Sequence, residues 1–149
     1  MAQEQLNEAM RGYVENKSLR LTRDQQKLTL HLSDKIIFAS GSPTIKSGGL
    51  EVLRDLGDFL LQKAEELEVQ IGGHTDNVPV GGQNGPLADN WGLSAARAVN
   101  VVRFFEEELN VEPGRMAAVG YGQYRPVSEN ETRDGRARNR RIEIVLIPR

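Results

Sequence analysis

The stretch Val69-Gln70-Ile71-Gly72-Gly73-His74-Thr75-Asp76 reads as a brief strand ended by a glycine pair, with three polar residues directly after it. Ligands in α/β proteins usually bind at the ends of strands, so His74, Thr75 and Asp76 are the first candidate site residues. A loop follows over 77–89, with Pro79, Gly81, Gly82, Gly85 and Pro86; its length is that of a surface loop, not a linker. Helix signals resume at Asn90, with Ala95, Ala98, Val102, Phe105 and Leu109 on one stripe, and Pro113-Gly114 ends the segment. Met116–Val119 then predicts a strand running into Gly120-Tyr121-Gly122. After an Arg-rich loop, a last strand over Arg140–Ile147 puts Ile142, Ile144 and Leu146 on one face and Glu143 and Val145 on the other.

Upstream, Leu50, Leu53, Leu56, Leu60, Ala64 and Leu67 predict a helix that Ser47 can cap. Before it come the apolar run Ile36-Ile37-Phe38 and a polar loop, Ala39–Ser47. Leu19 and Leu21, then Leu28, Leu30 and Leu32 beyond 23–26, alternate with polar residues as the arms of a hairpin. Leu6, Met10, Tyr13 and Val14 predict one short amphipathic lead-in helix. The order is β-α-β-α-β-β after the lead-in, an α/β (α+β) two-layer sandwich with helices over one face of a small mixed sheet.

At 149 residues the chain is one domain's worth, and 38% hydrophobic with 27% charged residues is ordinary for a globular fold. A net charge of −2 points to neither nucleic acid nor an anionic membrane. With no cysteine, disulfide scaffolds and thiolate zinc sites are excluded. No apolar run reaches the roughly 20 residues of a membrane span, and the start lacks a signal peptide's basic and apolar regions. A cytoplasmic domain is the literal reading. The alternative is a piece of a longer protein that works outside the membrane, separated from its anchor.

Asn90, Leu93 and Arg97 are spaced to share one helix face. If that face borders the loop after Gly73, Asp76 and Arg97 can meet across a pocket suited to a zwitterion, such as one end of a diamino acid. The same spacing also fits a structural Asp76–Arg97 ion pair with Asn90 as a helix cap. Acids interleave with Arg133, Arg136, Arg138, Arg140 and Arg141, and no aromatic sits among them to stack bases, which argues against nucleic acid. These arginines are expected to cap loop carbonyls and pair with acids. His31, in a strand of alternating leucines, and His74, expected as a hydrogen-bonding core residue, lack any zinc-hydrolase spacing, so no metal is expected. Ser94, His74 and Asp76 have no nucleophile elbow, no phosphate loop is present, and no cofactor is implied.

Gly73-His74-Thr75-Asp76, Asn90-x-x-Leu93-Ser94-x-x-Arg97-Ala98-x-x-Val101, Gly120-Tyr121-Gly122 and Gly135-Arg136-Ala137-x-Asn139-Arg140-Arg141-Ile142-Glu143-Ile144 resemble the OmpA-like domain in order and spacing, from about Lys27 to Ile147. Asp34-Lys35-Ile36-Ile37-Phe38, Gly41–Lys46, the long 77–89 loop and Asp89-Asn90-Trp91-Gly92-Leu93-Ser94 resemble the family's flagellar stator (MotB-type) group. The resemblance implies a sheet of order 1-4-2-3 and non-catalytic binding of the diaminopimelate-containing stem peptide of peptidoglycan. It makes Asp76 and Arg97 the charge clamp, lined by Thr75, Asn90, Leu93 and the loop Phe38-Ala39-Ser40-Gly41-Ser42, with Arg140 and Arg141 closing or bracing the site. Residues 27–149 would be the binding domain and 1–26 a lead-in helix and hairpin strand. The expected setting is the periplasm, on an inner-membrane-anchored protein and as a homodimer. The rivals are a Pal-like outer-membrane tether, a murein hydrolase and a purely structural oligomerisation domain.

Overall fold

The computed structural model describes residues 2–63, 66–80 and 85–149. The elements are α1 (Ala2–Ala9), α2 (Arg11–Glu15), β1 (Leu19–Asp24), β2 (Lys27–Ser33), α3 (Asp34–Ile37), α4 (Ser47–Gln62), β3 (Leu67–His74), α5 (Asn90–Leu109), β4 (Met116–Gly120), α6 (Arg133–Asn139) and β5 (Arg141–Pro148). The strands form one sheet in the order β1-β2-β5-β3-β4, with only β3 and β4 parallel. Numbered from Lys27, that order reads 1-4-2-3.

The pleat explains the layering. Leu30 faces Ile144, which faces Ile71, and Leu32 faces Ile142, so one side of the three central strands is continuously apolar. Against it α4 buries Val52, Leu53, Leu56, Phe59 and Leu60, and α5 buries Ala98, Val101, Phe104 and Phe105. Each large aliphatic or aromatic side chain so removed from water contributes about 1.5–3 kcal/mol. Helix α5 comes so close to β3 that a Cβ on Gly73 would lie 2.2 Å from the Ser94 carbonyl oxygen. Only glycine permits that approach, which brings the first turns of α5 beside the end of β3. At its other end α5 closes with Asn110 in the left-handed conformation and the Val111 N–H donating to the Phe105 carbonyl.

Several expectations are corrected. The lead-in is two helices broken at Met10, and most of its apolar stripe is covered within the chain: Leu6 and Met10 are fully buried and Tyr13 donates its hydroxyl to Asp55, while Val14 stays 39% exposed. The cap position of α4 is Lys46, not Ser47, which is the helix's first residue. Leu67 belongs to β3, which runs through Gly72-Gly73 to His74 instead of stopping there. Ala64, Gly81 and Gly82 lie outside the described residues. The Arg-rich loop contains a helix, α6, capped by the Thr132 hydroxyl, which accepts from the Gly135 N–H.

Candidate functional site

At the tips of β3 and β5, beside the first turns of α5, lies a cavity of about 770 Å³. Thr75 and Asp76 come from the chain leaving β3, Asn90, Leu93 and Arg97 from α5, Phe38, Ser40 and Gly41 from the segment after α3, and Arg140 from the residue before β5. Eight of the nine sequence candidates therefore share one cavity.

Its charges form an incomplete ring of four, Arg97–Asp34–Arg140–Asp76, open between Asp76 and Arg97, in place of the direct Asp76–Arg97 ion pair that the spacing also fitted. Arg97, almost fully buried, donates from Nη1 to Asp34 Oδ2 at 3.0 Å, from Nε to the Ser42 carbonyl and from Nη2 to the Ala39 carbonyl. Arg140 donates from Nη1 to Asp76 Oδ2 at 2.7 Å, and its Nε lies 3.6 Å from Asp34 Oδ1. No Asp76–Arg97 ion pair is made among the described residues. Burial pushes the Arg97 guanidinium below its ordinary value, opposed by Asp34. Phe38 supports the guanidinium from below, with the ring centroid 4.7 Å from its central carbon.

The remaining residues fix this ring in place. Asp76 Oδ1 accepts from the Val78 N–H, a local turn that fixes the carboxylate where the chain leaves β3. Asn90 donates from its amide to the carbonyls of Asp76 and Val78 and to Gln123 Oε1. It is not the helix cap; Asp89 is, accepting from the Gly92 N–H at 2.8 Å. Thr75 ties the strand tip to the loop after β4, its N–H donating to the Gly122 carbonyl at 2.9 Å.

The reachable chemistry follows from valence. Three donors of the Arg97 guanidinium are engaged, leaving two N–H for an incoming oxygen. Each Asp76 oxygen has accepted one bond and retains a lone pair for an ammonium. Lys35, Lys46 and Arg136 also line the cavity, so five cationic side chains stand against the two carboxylates Asp34 and Asp76. Such a lining favours a ligand with more carboxylate than ammonium groups.

Arg141 is a correction. It points to the other face of the sheet, donating to Glu143 at 2.7 Å and to the carbonyls of Asn139 and Arg125. His74 also faces that side, stacked on Tyr121 with centroids 4.8 Å apart; contrary to expectation, neither ring nitrogen has a hydrogen-bond partner among the described residues. Burial and the Arg141 charge lower its pKa to about 4. His31, on the same face, shares Thr22 and Glu143 as neighbours. Among the described residues no group of three His, Cys, Asp or Glu side chains is arranged to hold a metal. Ser94 is fully buried, its hydroxyl bonded to the Gly122 N–H and the Trp91 carbonyl.

Asp34 was missed. It follows the capping Ser33 and reads from sequence as an ordinary first-turn acid. Another groove, of about 780 Å³ near the start of β1, has no carboxylate among the described residues of its lining and so pairs no charges there.

A strand-tip pocket with this fold places the chain in a defined class, and comparison with known families agrees: residues 37–140 match the OmpA family, and the chain belongs to it. Within that family it is similar to Motility protein B of Bacillus subtilis, 35% identical over 122 residues, 82% of this chain and 46% of that protein. The chain thus spans about half the length of that relative. Among solved structures it resembles a MotB-like protein of Desulfovibrio vulgaris (33% identity, TM-score 0.87, covering 99% of this chain and 94% of the other). It also resembles the cell wall anchor of the T6SS of Pseudomonas aeruginosa (27% identity, TM-score 0.86, covering 97% of each).

Proposed function

We propose that the chain binds peptidoglycan without cleaving it, holding the diaminopimelate end of a stem peptide in the strand-tip cavity. In this reading it anchors a MotB-type membrane protein to the cell wall from the periplasm. The supporting observation is the Arg97–Asp34–Arg140–Asp76 ring opening on a cation-rich cavity. The ligand's ammonium would sit on Asp76, and its carboxylate would take the free N–H groups of Arg97 with help from Arg140. Lysine-type walls offer the amine without the carboxylate, leaving the buried guanidinium unpaired on the ligand side. We assign binding to 27–149 and a connecting role to 1–26. Since most of the lead-in stripe is covered within the chain, we attribute any pairing of two copies to tethering; sedimentation equilibrium with and without 1–17 tests whether the lead-in matters.

The experiment is co-sedimentation with insoluble peptidoglycan of both wall types, with the supernatant assayed for released fragments. Binding to diaminopimelate walls, weak binding to lysine walls and no release are expected. Equal binding to the two walls contradicts the diaminopimelate assignment, and release of fragments contradicts a non-catalytic role. The end-to-end match to the T6SS cell wall anchor favours a second reading, in which the same pocket anchors a secretion machine. The membrane partner recovered by crosslinking the full-length protein in cells separates the two.

A further inference from the structure

Trp91 and Tyr124 are 51% and 61% exposed, yet they are stacked on each other with ring centroids 4.9 Å apart and planes 28° from parallel. Of the chain's one tryptophan and three tyrosines, two therefore meet at one solvent-facing spot. The pair is supported from below. Trp91 stands in the capped first turn of α5, and the loop after β4 carries Tyr124. Gly122 lies against both rings with φ +61°; a Cβ there would come within 3.4 Å of the Trp91 ring and 3.5 Å of the Tyr124 ring. The Ser94 hydroxyl locks the arrangement, accepting from the Gly122 N–H and donating to the Trp91 carbonyl. An aromatic surface held rigid but left in water adds little to the core and has the character of a binding surface.

What it fits follows from its connection to the cavity. Gly122 accepts from the Thr75 N–H, and Gln123, next to Tyr124, accepts from the Asn90 amide. Trp91 and Arg97 are six residues apart on α5, about 9 Å along its axis. In peptidoglycan the free amino-acid end of diaminopimelate is joined to the sugar's lactyl group through its own side chain and two residues, about 14 Å when extended, enough to cover that rise with slack. A polymer held by its peptide in the cavity therefore brings an amino sugar to the aromatic pair. One face of such a ring is mostly C–H, matching the face of an indole or phenol, while its hydroxyls and acetamido group stay in water. We propose that Trp91 and Tyr124 form a stacking subsite for the N-acetylated amino sugar of the glycan strand. This rests on the peptidoglycan reading of the cavity.

The test compares two ligands by calorimetry: the L-Ala–D-Glu–diaminopimelate tripeptide, and the same tripeptide on an N-acetylglucosamine–N-acetylmuramic acid disaccharide. Trp91, the sole tryptophan, reports by fluorescence. The disaccharide form is expected to bind roughly three- to tenfold more tightly and to shift the emission, with the bare tripeptide leaving it unchanged. In Trp91→Ala and Tyr124→Ala the advantage disappears, so that both ligands bind alike. The fluorescence of the unsubstituted chain gives an answer even if a variant misfolds. If the tripeptide binds and the disaccharide adds neither affinity nor emission change, the subsite is overturned and the cavity reading stands. If neither ligand binds, both fall. Concentration-dependent self-association that Trp91→Ala removes would instead assign the pair to a second copy and overturn the proposal.

Discussion

Arg140, the residue before β5, and Arg141, its first residue, are consecutive yet turn to opposite faces, where Arg140 meets Asp76 and Asp34 and Arg141 meets Glu143. On the cavity side, Arg140 and Arg97 alternate with Asp76 and Asp34 around about 770 Å³ of space, with surplus cations on the walls. On the other side, Arg141 spends itself on Glu143 and two loop carbonyls, next to a recess of only about 120 Å³. The nearby His31 ring and the hydrogen-bonded Arg141 guanidinium hold the Glu143 carboxyl down to about 2, below the usual carboxylate range. Two networks built from the same groups thus differ in what they leave available. The cavity ring keeps free donors and acceptors facing open space; the outer network is a brace.

The largest expected effect comes from Arg97→Ala. It leaves buried Asp34 with only the looser 3.6 Å contact to Arg140, so up to about 3–5 kcal/mol of stability is lost along with peptidoglycan binding. Urea unfolding and co-sedimentation check both, and a variant as stable as the parent would show that the ring carries no buried charge. Asp76→Asn sharpens the contrast. Arg140 is 30% exposed, so loss of its partner costs less than about 1 kcal/mol of stability. Binding should weaken by about 2–5 kcal/mol, because a neutral amide cannot balance an ammonium. Undiminished binding by a folded Asp76→Asn protein would remove Asp76 from the site.

Acid should act mainly through the outer network. The folded pKa of His74, about 4, lies below its ordinary 6.5, so the unfolded chain binds the proton more readily. The stability this contributes is full above pH 6.5 and is lost as pH falls toward 4, at most about 3 kcal/mol. Glu143, about 2 in the fold against 4.5 ordinarily, extends the loss from 4.5 down to 2. His74→Phe, which can keep the stacking on Tyr121, should flatten the 6.5-to-4 slope in unfolding measured across pH. An unchanged slope would place the titration elsewhere. The smallest effect is Arg141→Ala: about 1–3 kcal/mol of stability for unsatisfied partners, with peptidoglycan binding retained in the folded fraction.

Much of this was readable before the coordinates. Alternating leucines define the hairpin, and the stripe on α5 places Asn90, Leu93 and Arg97 beside the end of β3. The split between Arg140 and Arg141 stays open in the sequence: alternation turns positions 141 and 143 away from the face of Ile142, Ile144 and Leu146, but Arg140 stands before β5 and outside that alternation. What escaped were contacts between distant segments. Asp34 looks local, yet its partners are 63 positions away in Arg97 and across the sheet in Arg140. Helix α6 is short and polar on most sides, so no apolar period marks it and only the Thr132 cap hints at it. Leu67 fits the spacing of α4 but is captured by strand pairing with Pro148.

One measurement reads both networks at once: arginine side-chain N–H resonances, assigned by substitution, during titration with the L-Ala–D-Glu–diaminopimelate tripeptide. The expected result is that the Nε–H signals of Arg97 and Arg140 move with ligand and that of Arg141 stays still. Movement of Arg141 alone, with Arg97 and Arg140 unmoved, would contradict the assignment of the strand-tip cavity as the binding site.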